Sequence, residues 1–123
     1  MEKQQEFKAG GMVSIWVGNF SSDEEFDRYM NLSKEFERDF GFEIHDRSIR
    51  EAVVEKDPRP IAQLVEGFSD WKSFVSAVAE AAEESGIDLA TTMIVFYGVK
   101  FDPVKVVIDA NAPLKFLGAF PFS

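Results

Sequence analysis

MVSIWVGNFSSDEEF, running from Met12 to Phe26, holds the first decision about the fold. Val13, Ile15 and Val17 alternate with Ser14 and Trp16, and β-branched and aromatic residues suit an extended backbone. A strand is therefore predicted over Met12–Gly18. Past Gly18-Asn19, Ser22-Asp23-Glu24-Glu25 has the spacing of a capping box, which opens a helix. Strand, short loop and helix start are also the parts of a phosphate-binding loop, where free N–H groups and a positive dipole end face an anion. Here Asp23, Glu24 and Glu25 already use that dipole and would repel phosphate. The loop has no lysine and a single glycine. The stretch reads as a fold element.

Working outward, Phe26, Tyr29, Met30, Ser33, Phe36 and Phe40 recur at three- and four-residue spacing, predicting one helix over Asp23–Phe40 with Gly41 at its C′ position. A second long helix is predicted over Asp70–Ser85, capped by Ser69 or Asp70 and ended by Gly86. Its inward stripe is Trp71, Phe74, Val75, Val78 and Ala82. Between the two, Phe42–Lys56 fits one or two strands, Asp57-Pro58-Arg59-Pro60 breaks the chain, and Ile61, Leu64 and Val65 mark a short helical turn. Thr92–Val99 is apolar at almost every position, as in a strand covered on both faces. Asp102-Pro103 reads as a turn, after which Val104, Val106 and Ile108 alternate with Lys105 and Asp109 in another strand. In the closing segment, Leu114, Phe116, Gly118, Phe120 and Phe122 would share a face, Gly118 leaving space for a neighbouring ring. Pro121 places the end of that segment at a sheet edge or outside the sheet.

The expected architecture is α+β: a single domain over residues 12–123, with a mostly antiparallel or mixed sheet and both long helices packed on one face. Residues 1–11, ending in Gly10-Gly11, read as a flexible leader. Strand order is not encoded in these patterns.

The totals exclude more than they assign. A chain of 123 residues with 46% apolar content and 13 Phe can bury a core without staples. It has no cysteine, so disulfides, thiolate metal sites and cysteine nucleophiles are out. The N-terminus lacks a signal-peptide apolar region, and the longest apolar run, Met93 to Tyr97, is too short to span a bilayer. A cytoplasmic protein that binds no membrane is expected. The net charge is −9 with no visible basic stripe, which argues against nucleic acid and favours a basic protein partner. His45-Asp46 is the one pairing suited to acid–base chemistry. A single His cannot build a His-rich metal site, and no G-x-S-x-G elbow is present. No catalytic residue, metal or cofactor is expected.

One feature breaks a local rule. The second helix ends Glu80-Ala-Ala-Glu83-Glu84-Ser85-Gly86, and carboxylates at a helix C-terminus cost about 0.3–1 kcal/mol each at low salt. Glu80, Glu83 and Glu84, with Asp46, are the candidate partner-binding residues; solubility is the competing reading of these acids.

VSIWVGNF (Val13–Phe20), VEGFSDWKSF (Val65–Phe74) and LKFLGAFPF (Leu114–Phe122) together resemble the bacterial immunity protein 22 family, over about Met12 to Phe122. Members occur near polymorphic toxin genes. The resemblance implies a small cytoplasmic protein that binds and blocks a cognate toxin, with no catalytic residue to carry over. An acidic immunity protein would suit a basic toxin site, a nuclease site for example. A housekeeping domain or small enzyme sharing the fold is the alternative.

Overall fold

Strand β1, Lys8–Gly18, begins four residues before the expected Met12 and is buried on both sides from Val13 onward. Val13, Ile15 and Val17 point into one apolar cluster and Trp16 into another, as the period of two requires. The structure, a computed structural model, describes residues 8–41, 49–105, 108 and 111–122.

The sheet has four strands in the order β2-β3-β1-β4, with β2 at Arg50–Pro60, β3 at Leu89–Val99 and β4 at Leu114–Pro121. All neighbours are antiparallel. The central strands are β3 and β1, and β3 is covered on both faces as its sequence predicts.

The helices do not share a face. Helices α1 (Asp23–Asp27) and α2 (Glu35–Phe40) bring Phe26, Phe36 and Phe40 to the Trp16 side of the sheet. Helices α3 (Ile61–Val65) and α4 (Val75–Glu84) bring Leu64, Val65, Phe74 and Val78 to the side of Val13 and Ile15. The class remains α+β and the sheet antiparallel, but the single-face packing is corrected to one helical layer on each face. The reason lies in β1 itself: both of its faces are apolar, and each needs its own cover.

The helix predicted over Asp23–Phe40 is broken. Ser22 caps α1, its Oγ accepting from Glu25 N at 3.2 Å. Glu25 reaches back to the amide and hydroxyl of Ser21, one residue earlier than a standard capping box. After α1 the chain widens into a π-helical turn over Arg28–Leu32, closed by Ser33 N donating to Arg28 O. Lys34 then takes a left-handed conformation, φ 53°, before α2 starts. Periodicity reports which residues face inward and is blind to such an interruption. The two halves do separate work: Phe26 and Tyr29 pack on Phe20, whereas Phe36 and Phe40 close on Trp16.

The second helix is also shorter than Asp70–Ser85. Trp71–Ser73 is a single 3₁₀ turn, and Phe74 leaves helical geometry before α4 starts at Val75. Ser69 is no cap, because its N–H and hydroxyl both donate to Glu51. At the other end Gly86 stops α4 as expected, in a Schellman arrangement: Gly86 N donates to Glu83 O and Ile87 N to Ala82 O.

Two more expectations change. Asp57-Pro58-Arg59-Pro60 does not end the strand but forms the last part of β2: Asp57 and Pro58 lie in an irregularity between Val54 and Arg59, and pairing resumes at Arg59 and Pro60. Prolines are tolerated there because β2 is an edge strand. Val104 lies in a 3₁₀ turn, Pro103–Lys105, and is 89% exposed instead of opening a strand; residues 106, 107 and 109 of that expected strand lie outside the described residues.

In β4, also an edge, Ile15 pairs with Gly118 and Trp16 with Phe116, so Leu117 is an extra residue, a bulge. A one-residue shift exchanges faces. Leu114 and Phe116 therefore join the Trp16 cluster, while Leu117 and Phe120 join the opposite one, correcting the single face expected for this segment. Gly118 does leave room for a ring: a Cβ there would lie 2.7 Å from Phe120 Cζ.

Candidate functional site

The loop between β1 and α1 is committed to the fold. Phe20 N donates to Thr92 Oγ1 at 3.1 Å, and Thr91 Oγ1 donates to Phe20 O at 2.7 Å. The amide and carbonyl of Phe20 are thus spent on β3, consistent with a structural loop.

The sequence-predicted partner residues divide. Glu80, Glu83 and Glu84 are exposed at the C-terminal half of α4. Asp46, like His45, lies outside the described residues. The Schellman hydrogen bonds occupy two of the helix's terminal carbonyls, but no basic residue stands in its last turn to offset the acids. The whole segment from Glu66 to Asp88 carries six carboxylates and one base, Lys72. Its net charge of −5 is more than half of the chain's −9.

A second feature lies at the start of the same segment. A cleft of about 400 Å³ opens between Glu51, Ala52 and Val53 of β2 and the stretch that holds Leu64, Glu66, Gly67 and Phe68. Glu51 accepts from Ser69 N at 2.8 Å, Ser69 Oγ at 2.8 Å and Tyr97 OH at 2.6 Å. The Tyr97 hydroxyl is also 2.7 Å from Ser69 O. Partial burial would push the Glu51 carboxyl up, but these donors outweigh it and hold the group below the usual glutamate range. Burial, and then the neighbouring Glu51, push the Tyr97 phenol up, so it stays a donor. No group of three or more His, Cys, Asp or Glu suited to a metal ion occurs among the described residues. No described helix is long and apolar enough to cross a membrane.

The model of the Immunity protein 22 family matches residues 13–123, which takes in the sheet from Val13 of β1 onward and both helical layers. The chain belongs to this family. No curated protein and no solved structure matches it.

For this Immunity protein 22 chain, membership supports an immunity role. The three segments that carry the resemblance turn out to be packing elements: β1, the turn from α3 into α4, and β4. The Glu51–Ser69–Tyr97 network is what sequence reasoning missed. Its members are 18, 28 and 46 residues apart, and Ser69 has the appearance of a helix cap because a helical run follows it. The available signal was Glu51 itself, an acid in step with Ile49 and Val53, both half-buried.

Proposed function

We propose that the chain neutralises its cognate toxin by direct, stoichiometric binding, and that the acidic face of α4 and the segment before it meets a basic patch on the toxin. The observation that carries this reading is the concentration of −5 of the net charge between Glu66 and Asp88, on a member of an immunity family. Glu80, Glu83 and Glu84 stand exposed there against the dipole of their own helix, and Asp46 extends the acidic set in sequence. A basic toxin surface, such as the substrate channel of a nuclease, is the complementary target. Binding there would exclude substrate without any chemistry by the immunity protein, so His45→Ala should leave protection intact.

The test uses the toxin domain encoded beside the gene. Association rates of wild type and the triple variant Glu80→Lys, Glu83→Lys, Glu84→Lys are measured across a salt series, alongside melting temperatures. Association should be slower in the variant at low salt and converge with wild type at high salt, since exposed charges are screened beyond about 10 Å at 0.1 M. The melting temperature should hold or rise slightly, because cations suit a helix C-terminus. Equal rates at low salt would place this face away from the toxin.

A further inference from the structure

The cleft beside Glu51 combines an apolar wall with a carboxylate held in place by neutral donors. Leu64 and Phe68 are almost fully buried along it, Val53 is half-buried, and Glu66 is exposed. Neutral donors satisfy a carboxylate's lone pairs without removing its charge, so a cation remains its natural further partner. Among the described residues Glu51 has only neutral donors, and no basic side chain pairs with it. Three of its roughly four lone-pair positions are filled, two on Oε1 and one on Oε2, which leaves Oε2 able to accept once more. The cleft is also open at Gly67, where a Cβ would meet nothing within 4 Å. An arginine fits both halves of this description. Its aliphatic stem packs on apolar surface, and its planar fork of five donors can serve two carboxylates at once.

We infer that this cleft is a socket for an arginine side chain presented by the toxin, the stem lying along Leu64 and Phe68 and the guanidinium reaching the carboxylates of Glu51 and Glu66. The inference rests on the immunity reading for the identity of the partner, while the arginine preference rests on the cleft alone. Glu51 is the anchor, pre-set by Ser69 and Tyr97 so that little ordering remains for the moment of binding. Glu66 supplies the second charge from the loop side.

Two measurements separate the socket from the reading it rests on. In the first, the full chain is titrated with millimolar N-acetyl-Gly-Arg-Gly-amide and followed by amide NMR. Saturable shifts should appear at residues 51–53 and 64–68, be absent with the citrulline peptide, and weaken about fivefold or more in Glu66→Gln. That variant keeps every hydrogen bond of the Glu51 network. Scattered shifts, or equal shifts with citrulline, would overturn the socket. In the second, the toxin domain is bound to wild type, Glu51→Gln and Glu66→Gln. Each variant should dissociate about tenfold faster, the mark of a desolvated charge contact as opposed to a rim charge. Unchanged dissociation in Glu66→Gln overturns the socket and leaves the immunity reading standing. Failure of the toxin to bind wild type overturns the immunity reading, and the peptide titration then decides the socket by itself.

Discussion

Five phenylalanines enclose the indole of Trp16, with ring centroids between 4.9 and 5.6 Å away, from α2, β3, β4 and the turn after β3. Trp16→Ala would empty the centre of that cluster and should cost about 3–5 kcal/mol, a large part of a typical domain's stability. A near-normal melting temperature in this variant would contradict the packing. Ser14 shares the face of Trp16 and acts differently. Its buried hydroxyl donates to Val99 O at 2.8 Å and accepts from Phe101 N at 2.9 Å, holding the chain as it leaves β3. Glu51 gives the residue scale a pH dependence. Its carboxyl is depressed in the folded state, so its contribution is present above the usual glutamate range and is lost as pH falls through the depressed value. The stability gap between wild type and Glu51→Gln, read from urea midpoints, should therefore be largest at pH 7 and shrink toward pH 3. A gap that does not change with pH would mean the network holds no charge-dependent stability.

Among elements, the break at Lys34 makes the sharpest claim. A left-handed lysine costs roughly 1–2 kcal/mol that glycine avoids. Lys34→Gly should leave the melting temperature unchanged or raise it. In an unbroken helix the same change would lower stability by about 1 kcal/mol, so a lower melting temperature would refute the break. Gly18 is the converse case. A Cβ there would lie 2.6 Å from Leu114 Cδ2 and 2.8 Å from the Pro113 carbonyl, so Gly18→Ala should cost about 1–3 kcal/mol by pushing β4 from β1. These elements also show where the sequence speaks. The facing of Val13, Ile15 and Val17 against Trp16 is legible because side chains alternate along a strand, and the buried set Phe26, Tyr29, Met30, Phe36 and Phe40 because helical faces recur. Left unmarked are the side of the sheet each helix takes, the π turn at Arg28–Leu32 and the bulge at Leu117. Leu117 is apolar like its neighbours, so the exchange of faces leaves no trace in the pattern. The cleft is illegible for a related reason: Glu51, Ser69 and Tyr97 meet only through the tertiary fold, whereas the acids of α4 can be counted along the chain.

At the scale of the molecule, β1 and β3 contribute alternate side chains to both cores, so losing either helical layer bares one apolar face of the strands on which the other layer also rests. The two tryptophans report on the layers separately, Trp16 from one and the half-buried Trp71 from the other. Single-tryptophan variants Trp16→Phe and Trp71→Phe should each show one fluorescence transition in urea that coincides with the loss of circular dichroism. Distinct midpoints within either variant would show that the layers unfold independently.

The strand order has a temporal consequence. β1 sits between β3 and β4, and Val13 waits for Tyr97, 84 residues downstream, before its first neighbour exists. At about 5–20 residues per second of synthesis, the strand apolar on both faces is left unpaired for roughly 4–17 s. Contacts this distant in sequence also make for slow refolding. Nascent chains halted before Leu89 should therefore engage chaperones, and release them once β3 has cleared the ribosome.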